Sequence, residues 1–388
     1  MTHTIGMISL GCAKNQVNAE HMLWLLRQAG YEISPDPDGA ELVIVNTCGF
    51  IESAKTEAID NILAMAQLKA EGRIQKILVT GCLAQRYQEE ILQEMPEVDG
   101  VLGTGSYFDV ANAVGQVLSG KRYKRFDDIN ADQSEDGRIL TTPEYYAYLK
   151  IAEGCDNRCA YCVIPSLRGK FRSRTKESIL EEARLLAASG VKELIIVAQD
   201  ITRYGIDLYG KVCLTELLKE LCKLDFRWVR LHYLYPELID DELIDEIASE
   251  DKIVKYLDIP IQHINDTILR RMNRRGTGEE IRALFKKLRE RIPGLVLRTS
   301  LITGLPGEGE AEFEELCDFL REAKIERAGV FPYSPEEGTP AALMPDRCST
   351  EEAQRRAELC MEIQAEIMDG FAETFIGREL DVLVMGRE

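Results

Sequence analysis

The stretch Gly154-Cys155-Asp156-Asn157-Arg158-Cys159-Ala160-Tyr161-Cys162 places three cysteines within eight residues, spaced Cys-x3-Cys-x2-Cys. A run this short brings three thiolates to one small object without help from distant parts of the chain. Three is the informative number. A structural zinc site closes with four ligands, and no fourth Cys or His lies nearby. An iron–sulfur cluster normally takes four thiolates, so three leave one iron open for a substrate.

The composition narrows what surrounds this loop. The chain has 388 residues, 45% hydrophobic and 29% charged, enough for two or three globular domains. No apolar run reaches the length of a membrane span. The start, Met1 to Leu10, lacks a basic segment and a cleavage site and reads as a first strand rather than a signal peptide. Eleven cysteines without an export signal point to metal ligation in a reducing cytoplasm, not to a disulfide framework. A net charge of −19 disfavours nucleic-acid binding through bulk charge and suits a basic partner. A local basic patch could still meet RNA.

Residues 5–120 alternate short apolar runs with helical patterns. Strands are expected at 5–10, 41–46, 76–80 and 98–102, and helices at 15–29, 51–70, 85–94 and 108–118. This alternation predicts an α/β domain built on an open parallel sheet. Cys12, Cys48 and Cys82 each follow one of the first three runs. In such a sheet the carboxyl ends of the strands share one edge, where ligands bind. Three distant cysteines can therefore meet there as a second three-thiolate set. Residues 127–143 are polar and read as a linker.

Residues 145–375 repeat strand then helix six times, with strands near 145–151, 193–198, 229–233, 256–261, 295–302 and 329–333. Six βα units predict an incomplete (β/α)6 barrel, whose active site gathers at the carboxyl ends of the strands. Gln199-Asp200, His232, Gln262-His263, Gly304–Glu308 and Tyr333-Ser334 fall at those ends. Gly304–Glu308 lacks the Gly-Lys-Ser/Thr of a phosphate loop and reads as a tight turn. The two histidines have no ligand spacing and read as structural. Arg168, Lys170, Arg172 and Arg174 could contact an anionic group on a substrate or form a solvated face. Cys213, Cys222, Cys317, Cys348 and Cys360 read as core or surface thiols.

The loop at Cys155, Cys159 and Cys162, with aromatic Tyr161 before the last cysteine, resembles that of radical S-adenosylmethionine (SAM) enzymes. Gly11-Cys12-Ala13-Lys14-Asn15, Asn46-Thr47-Cys48-Gly49 and Thr80-Gly81-Cys82 resemble the N-terminal domain of the methylthiotransferases. Lys14-Asn15 and Cys48-Gly49-Phe50-Ile51-Glu52 are similar to the RimO branch of that family, although Asn18-Ala19 depart from its Asp-Ser. The resemblance implies two 4Fe-4S clusters. One, on Cys155, Cys159 and Cys162, would bind and cleave SAM. The auxiliary one, on Cys12, Cys48 and Cys82, would deliver sulfur. Tyr161, Gln199 and Asp200 would lie at the SAM site; for Gln199-Asp200 the competing reading is a solvated loop or an N-cap for the next helix.

It implies an N-terminal domain over 1–126, a linker over 127–143 and a radical SAM domain over 144–374. The start of a TRAM β-barrel, cut short, would occupy 375–388. The expected activity is methylthiolation of the β-carbon of an aspartate in small-subunit ribosomal protein S-twelve. Electrons would come from a reductant such as flavodoxin or ferredoxin. A tRNA adenosine is the alternative substrate, as in the MiaB branch. A non-catalytic iron–sulfur carrier and a zinc-binding interaction protein are the readings from other classes.

Overall fold

The computed structural model describes residues 3–131 and 137–384. Its contacts divide the chain into two compact units. The first comprises residues up to Thr142 with Glu153–Asp156 and Val163–Arg172; the second comprises Pro143–Ala152, Asn157–Cys162 and everything from Ser173.

The first unit is an α/β layer structure on a parallel sheet. Its strands are β1 (Thr4–Ser9), β2 (Glu32–Ser34), β3 (Leu42–Thr47), β4 (Lys76–Gly81), β5 (Gly100–Leu102) and β6 (Tyr123–Arg125), in the spatial order β2-β1-β3-β4-β5-β6. Every residue of β3 is buried, as a central parallel strand requires. Leu42 and Ile44 face a core with Met22, Leu26 and Val114, while Val43 and Val45 face one with Ala58 and Ile62. Alternate side chains of one strand thus bind helices on opposite faces.

The order of strands reverses between β1 and β3, the place where open α/β sheets hold their ligands. The three-residue strands β2 and β6 were not expected from the sequence; neither carries a fully buried residue. The helix expected over 85–94 is two helices, Cys82–Tyr87 and Glu90–Glu94, separated at Gln88, whose φ is +45°. The end of the stretch read as a linker packs here: the Thr141 amide donates to Glu20 Oε1 at 2.8 Å.

The second unit carries six parallel strands: β7 (Tyr146–Lys150), β8 (Glu193–Val197), β9 (Trp228–Leu231), β10 (Ile253–Asp258), β11 (Val296–Thr303) and β12 (Arg327–Pro332). They lie in chain order, so each βα step adds its strand beside the last. This is the wall of a partial barrel that ends at β7 and β12. In β11, Leu297, Thr299, Leu301 and Thr303 are buried, while Val296, Arg298, Ser300 and Ile302 are partly open. Such alternation gives a strand one packed face and one accessible face.

The six principal helices are Lys176–Ala188, Leu214–Leu221, Asp241–Ser249, Gly278–Arg291, Glu310–Ala323 and Thr350–Glu373. Helix Gly278–Arg291 begins with a capping box, Thr277 with Glu280. The alternating tail expected to open a β-barrel forms no strand over its described residues, 375–384, and residues 385–388 lie outside them. A single strand without a partner satisfies neither of its edges. No helix of the described residues is long and apolar enough to cross a membrane.

Candidate metal centre

Cys12, Cys48 and Cys82 come from the carboxyl ends of β1, β3 and β4, which are adjacent in the first sheet. Polar side chains lace these ends together. Asn15 Nδ2 donates to the carbonyls of Leu10 (2.7 Å) and Thr47 (3.3 Å). Asn46 Nδ2 donates to Ser9 Oγ and to the Asn15 carbonyl, and Thr47 Oγ1 donates to the Thr80 carbonyl at 2.6 Å. Two glycines leave room for this convergence. Gly11 has φ +89°, and a Cβ there would lie 3.1 Å from Cys48 Sγ. Gly81 has φ +93°, and a Cβ would lie 2.4 Å from the Thr47 carbonyl oxygen. Neither position accepts a side chain.

The three thiols differ in environment. Desolvation pushes Cys12 up, but the charges of Lys14 and Arg168 and the nearby backbone N–H groups of Asn15 and Lys14 outweigh it, so its net shift is downward. Cys12 stands at the N-cap of helix Ala13–Gln28, where the helix dipole also favours a thiolate. Burial pushes Cys48 up, and pushes Cys82, which is 6% exposed, to about 11 despite Arg168.

Arg168 forms part of neither a substrate face nor a solvated one, a correction for this member of the basic cluster, while Lys170 is exposed. Arg168 is 3% exposed and donates from Nε to Cys82 Sγ (3.3 Å) and from Nη2 to Asn15 Oδ1 (2.8 Å). Arg174 likewise turns inward, to the Lys150 carbonyl and Glu182.

In the second unit, loop residues Asn157–Cys162 are pinned from several sides. Asn157 Nδ2 donates to Asp200 Oδ2 at 2.9 Å, Asn273 Nδ2 to the Arg158 carbonyl at 2.8 Å, and the Ala160 amide to the Met272 carbonyl at 2.9 Å. Cys159 is 7% exposed, with Tyr235 Oη 3.0 Å and Arg274 Nη1 3.7 Å from its sulfur. Arg274 also stacks over the Tyr235 ring, 4.2 Å from its centroid. Nothing in the sequence marks Tyr235, Arg274 or the inward turn of Arg168, because each meets its cysteine only through the fold.

Tyr161 packs with Ile268, Met272, Leu305 and Ala341. Asp200 is fully buried; its carboxylate accepts from Asn157 and from the Thr202 amide, so it caps the turn Ile201–Arg203 and anchors the cysteine loop. Burial, outweighing those partners, pushes its carboxyl up. Gln199 is partly exposed beside it. Cys155 lies in the first unit, its amide donating to the Gly169 carbonyl at 3.1 Å.

His232 packs against Tyr233 and Tyr256, and His263 Nδ1 accepts from the Asn265 amide. The Gly304–Glu308 turn closes on itself, Glu308 accepting from the Gly304 amide and from Arg356. Cys213, Cys222, Cys317 and Cys360 are buried, and Cys348 is half-buried.

Among the described residues, no three His, Cys, Asp or Glu close on a single metal ion. A cubane cluster spreads its thiolates across separate corners and makes no such demand. All-thiol donors select soft sites, and the side-chain-free approach of Gly11 and Gly81 leaves the first set a cradle. The donors fit an iron–sulfur cluster.

Residues 4–103 match a family described as "Uncharacterized protein family UPF0004", and residues 149–320 match the Radical SAM superfamily. Each match contains one cysteine trio. The protein named "Ribosomal protein uS12 methylthiotransferase RimO" from Lachnoclostridium phytofermentans is 51% identical over 385 residues, 99% of this chain and 88% of that protein. Proteins of the same name from Pelotomaculum thermopropionicum and Anaeromyxobacter sp. strain K are 52% and 51% identical, over 99% and 100% of this chain and 87% and 82% of theirs.

The chain belongs to the RimO family.

The fold of this RimO-family chain is also that of solved radical SAM enzymes. The methyltransferase TsrM from Kitasatospora setae superposes with a TM-score of 0.62 at 14% identity, over 88% of this chain and 74% of its own. The cobalamin-dependent enzyme OxsB gives 0.57 at 13%, over 93% and 56%. At such identities the likeness concerns the fold alone.

Proposed function

We propose that this chain is a radical SAM methylthiotransferase acting on ribosomal protein uS12, at the β-carbon of an aspartate. The observation that carries the reading is the pair of three-cysteine sets, one in each matched segment, in a chain about half identical over its whole length to proteins of that name. Cys155, Cys159 and Cys162 would hold one 4Fe-4S cluster, and Cys12, Cys48 and Cys82 the auxiliary one. When bound, the clusters and SAM supply hydrogen abstraction from an unactivated carbon, the sulfur and the methyl group.

The protein's part is placement. Asp200 fixes the cysteine loop through Asn157. The Gln199 amide oxygen, at the carboxyl end of β8, is the proposed acceptor for the ammonium of SAM. Tyr161 holds the loop against the apolar cluster around Met272. The net charge of −19 favours a basic protein over tRNA as the substrate. A small redox protein of the flavodoxin or ferredoxin type would supply electrons, in the cytoplasm, where thiols stay reduced.

The test is anaerobic reconstitution with iron, sulfide, reductant, SAM and uS12, followed by mass measurement of the uS12 peptides. The expected product carries one methylthio group in place of a hydrogen on an aspartate. Methylthiolation of added tRNA with unmodified uS12 would overturn the assignment.

A further inference from the structure

Arg168 follows the last cysteine of the SAM-type loop by six residues, yet its side chain serves the other thiol set. Its segment lodges in the first unit. Val163 and Leu167 pack on Cys82, and the Leu167 carbonyl accepts from Thr104 Oγ1 at 2.6 Å. All three nitrogen positions of the guanidinium are used: Nε toward Cys82 Sγ, Nη2 to Asn15 Oδ1, and Nη1 3.4 Å from Glu153 Oε2.

Asn15 cannot turn away, because its Nδ2 already bridges the Leu10 and Thr47 carbonyls at the ends of β1 and β3. The fork is therefore aimed by the same side chain that ties those two strands. Burying a guanidinium costs several kcal/mol unless it is matched, and Glu153 at 3.4 Å is a long partner. A ligating cysteine, which binds as a thiolate, completes the match.

Given the proposed auxiliary cluster, on which this inference rests, we propose that Arg168 is its positioning residue. It fixes the Cys82 sulfur and, as a fixed cation and N–H donor on that sulfur, holds the cluster's reduction potential up. A cluster gains one negative charge on reduction, and hydrogen bonds and positive charge at its sulfurs favour that state. Lysine would keep the charge but could not satisfy three directions at once.

The test uses the full chain with Cys155, Cys159 and Cys162 replaced by Ala, so that any remaining cluster is the auxiliary one. Iron, acid-labile sulfide and the midpoint potential, from an EPR-monitored titration, are measured in this parent and with Arg168→Gln and Arg168→Lys. We expect Arg168→Gln to lower the equilibrium constant for one-electron reduction about tenfold, a fall of about 59 mV, and Arg168→Lys to recover part of it. Loss of iron from the Gln variant alone would also support a need for charge. An unchanged potential in Arg168→Gln overturns the role of Arg168 while leaving the cluster reading intact. Iron loss from both variants in a folded chain would support positioning of Cys82 by the full three-way fork, which neither Gln nor Lys reproduces. A parent without iron or sulfide ends both readings.

Discussion

Asn157 of the cysteine loop donates its side-chain amide to the buried carboxylate of Asp200, 2.9 Å away, at the end of the second barrel strand. The contact joins the segment that carries Cys159 and Cys162 to the rigid sheet. Removing the carboxylate strands the Asn157 and Thr202 donors, at a cost of about 1–3 kcal/mol. A loop displaced by about 1 Å can lose on the order of 100-fold in rate. We predict that Asp200→Ala lowers SAM cleavage to that degree, while Asp200→Asn, which keeps an oxygen for Asn157, loses less. Rates of 5′-deoxyadenosine formation in the two variants check this; equal losses would refute the anchoring role.

The two cysteine sets should separate by function. Cys159→Ala is expected to abolish SAM cleavage. Cys48→Ala should leave cleavage intact and stop methylthiolation. Chromatography of 5′-deoxyadenosine and mass spectrometry of uS12 read the two steps independently. Loss of cleavage in Cys48→Ala, with iron still bound at the other set, would show that the labour is not divided this way.

Gly81 precedes Cys82 with φ +93°, and a Cβ would stand 2.4 Å from the Thr47 carbonyl oxygen. Backbone at φ +93°, ψ −158° is essentially confined to glycine and costs another residue roughly 1–3 kcal/mol before any clash is counted. Gly81→Ala should therefore pull Cys82 from its place and lower the auxiliary iron content, with a lower melting temperature. Gly72, also at positive φ but with open space around it, is the control: Gly72→Ala should change melting slightly and iron not at all.

Glu308 gives the fold an acid limit. Burial pushes its carboxyl up, but His263 at 3.4 Å, the Gly304 amide and Arg356 prevail and hold it below the ordinary 4.5. A folded value below the unfolded one means the stabilisation is complete above 4.5 and is lost as pH falls through the folded value. Glu308→Gln weakens one partner of Arg356 while Glu352 and Glu310 stay beside it, for an expected loss of about 1–3 kcal/mol at neutral pH. Its denaturation midpoint should also depend less on pH below 4.5 than that of the parent. An unaltered acid profile would discount Glu308.

Much of this was readable before folding. The sequence marked β3 and β4 as unbroken apolar runs because both faces of a central strand are covered. It missed β2 and β6, which lie at the sheet edges and need no such run. The cysteines were legible from their position after strands. Arg168 was not. In a row with Lys170, Arg172 and Arg174 it looks like part of a charged surface, and the partner that turns it inward, Asn15, lies 153 residues away. Asp200 showed the opposite limit. The sequence located it correctly at a strand end, but only its two occupied oxygens reveal that it works on the loop.

The second sheet stops at β7 on one side and at β12 on the other, where Phe331 is half exposed. A closed ring pairs every strand on both sides. Six strands in chain order leave two of them with one unpaired edge each, and helix Thr350–Glu373 packs beside β12 at one of these. An uncovered edge is a template on which another chain can pair, so that last helix also guards the sheet against association.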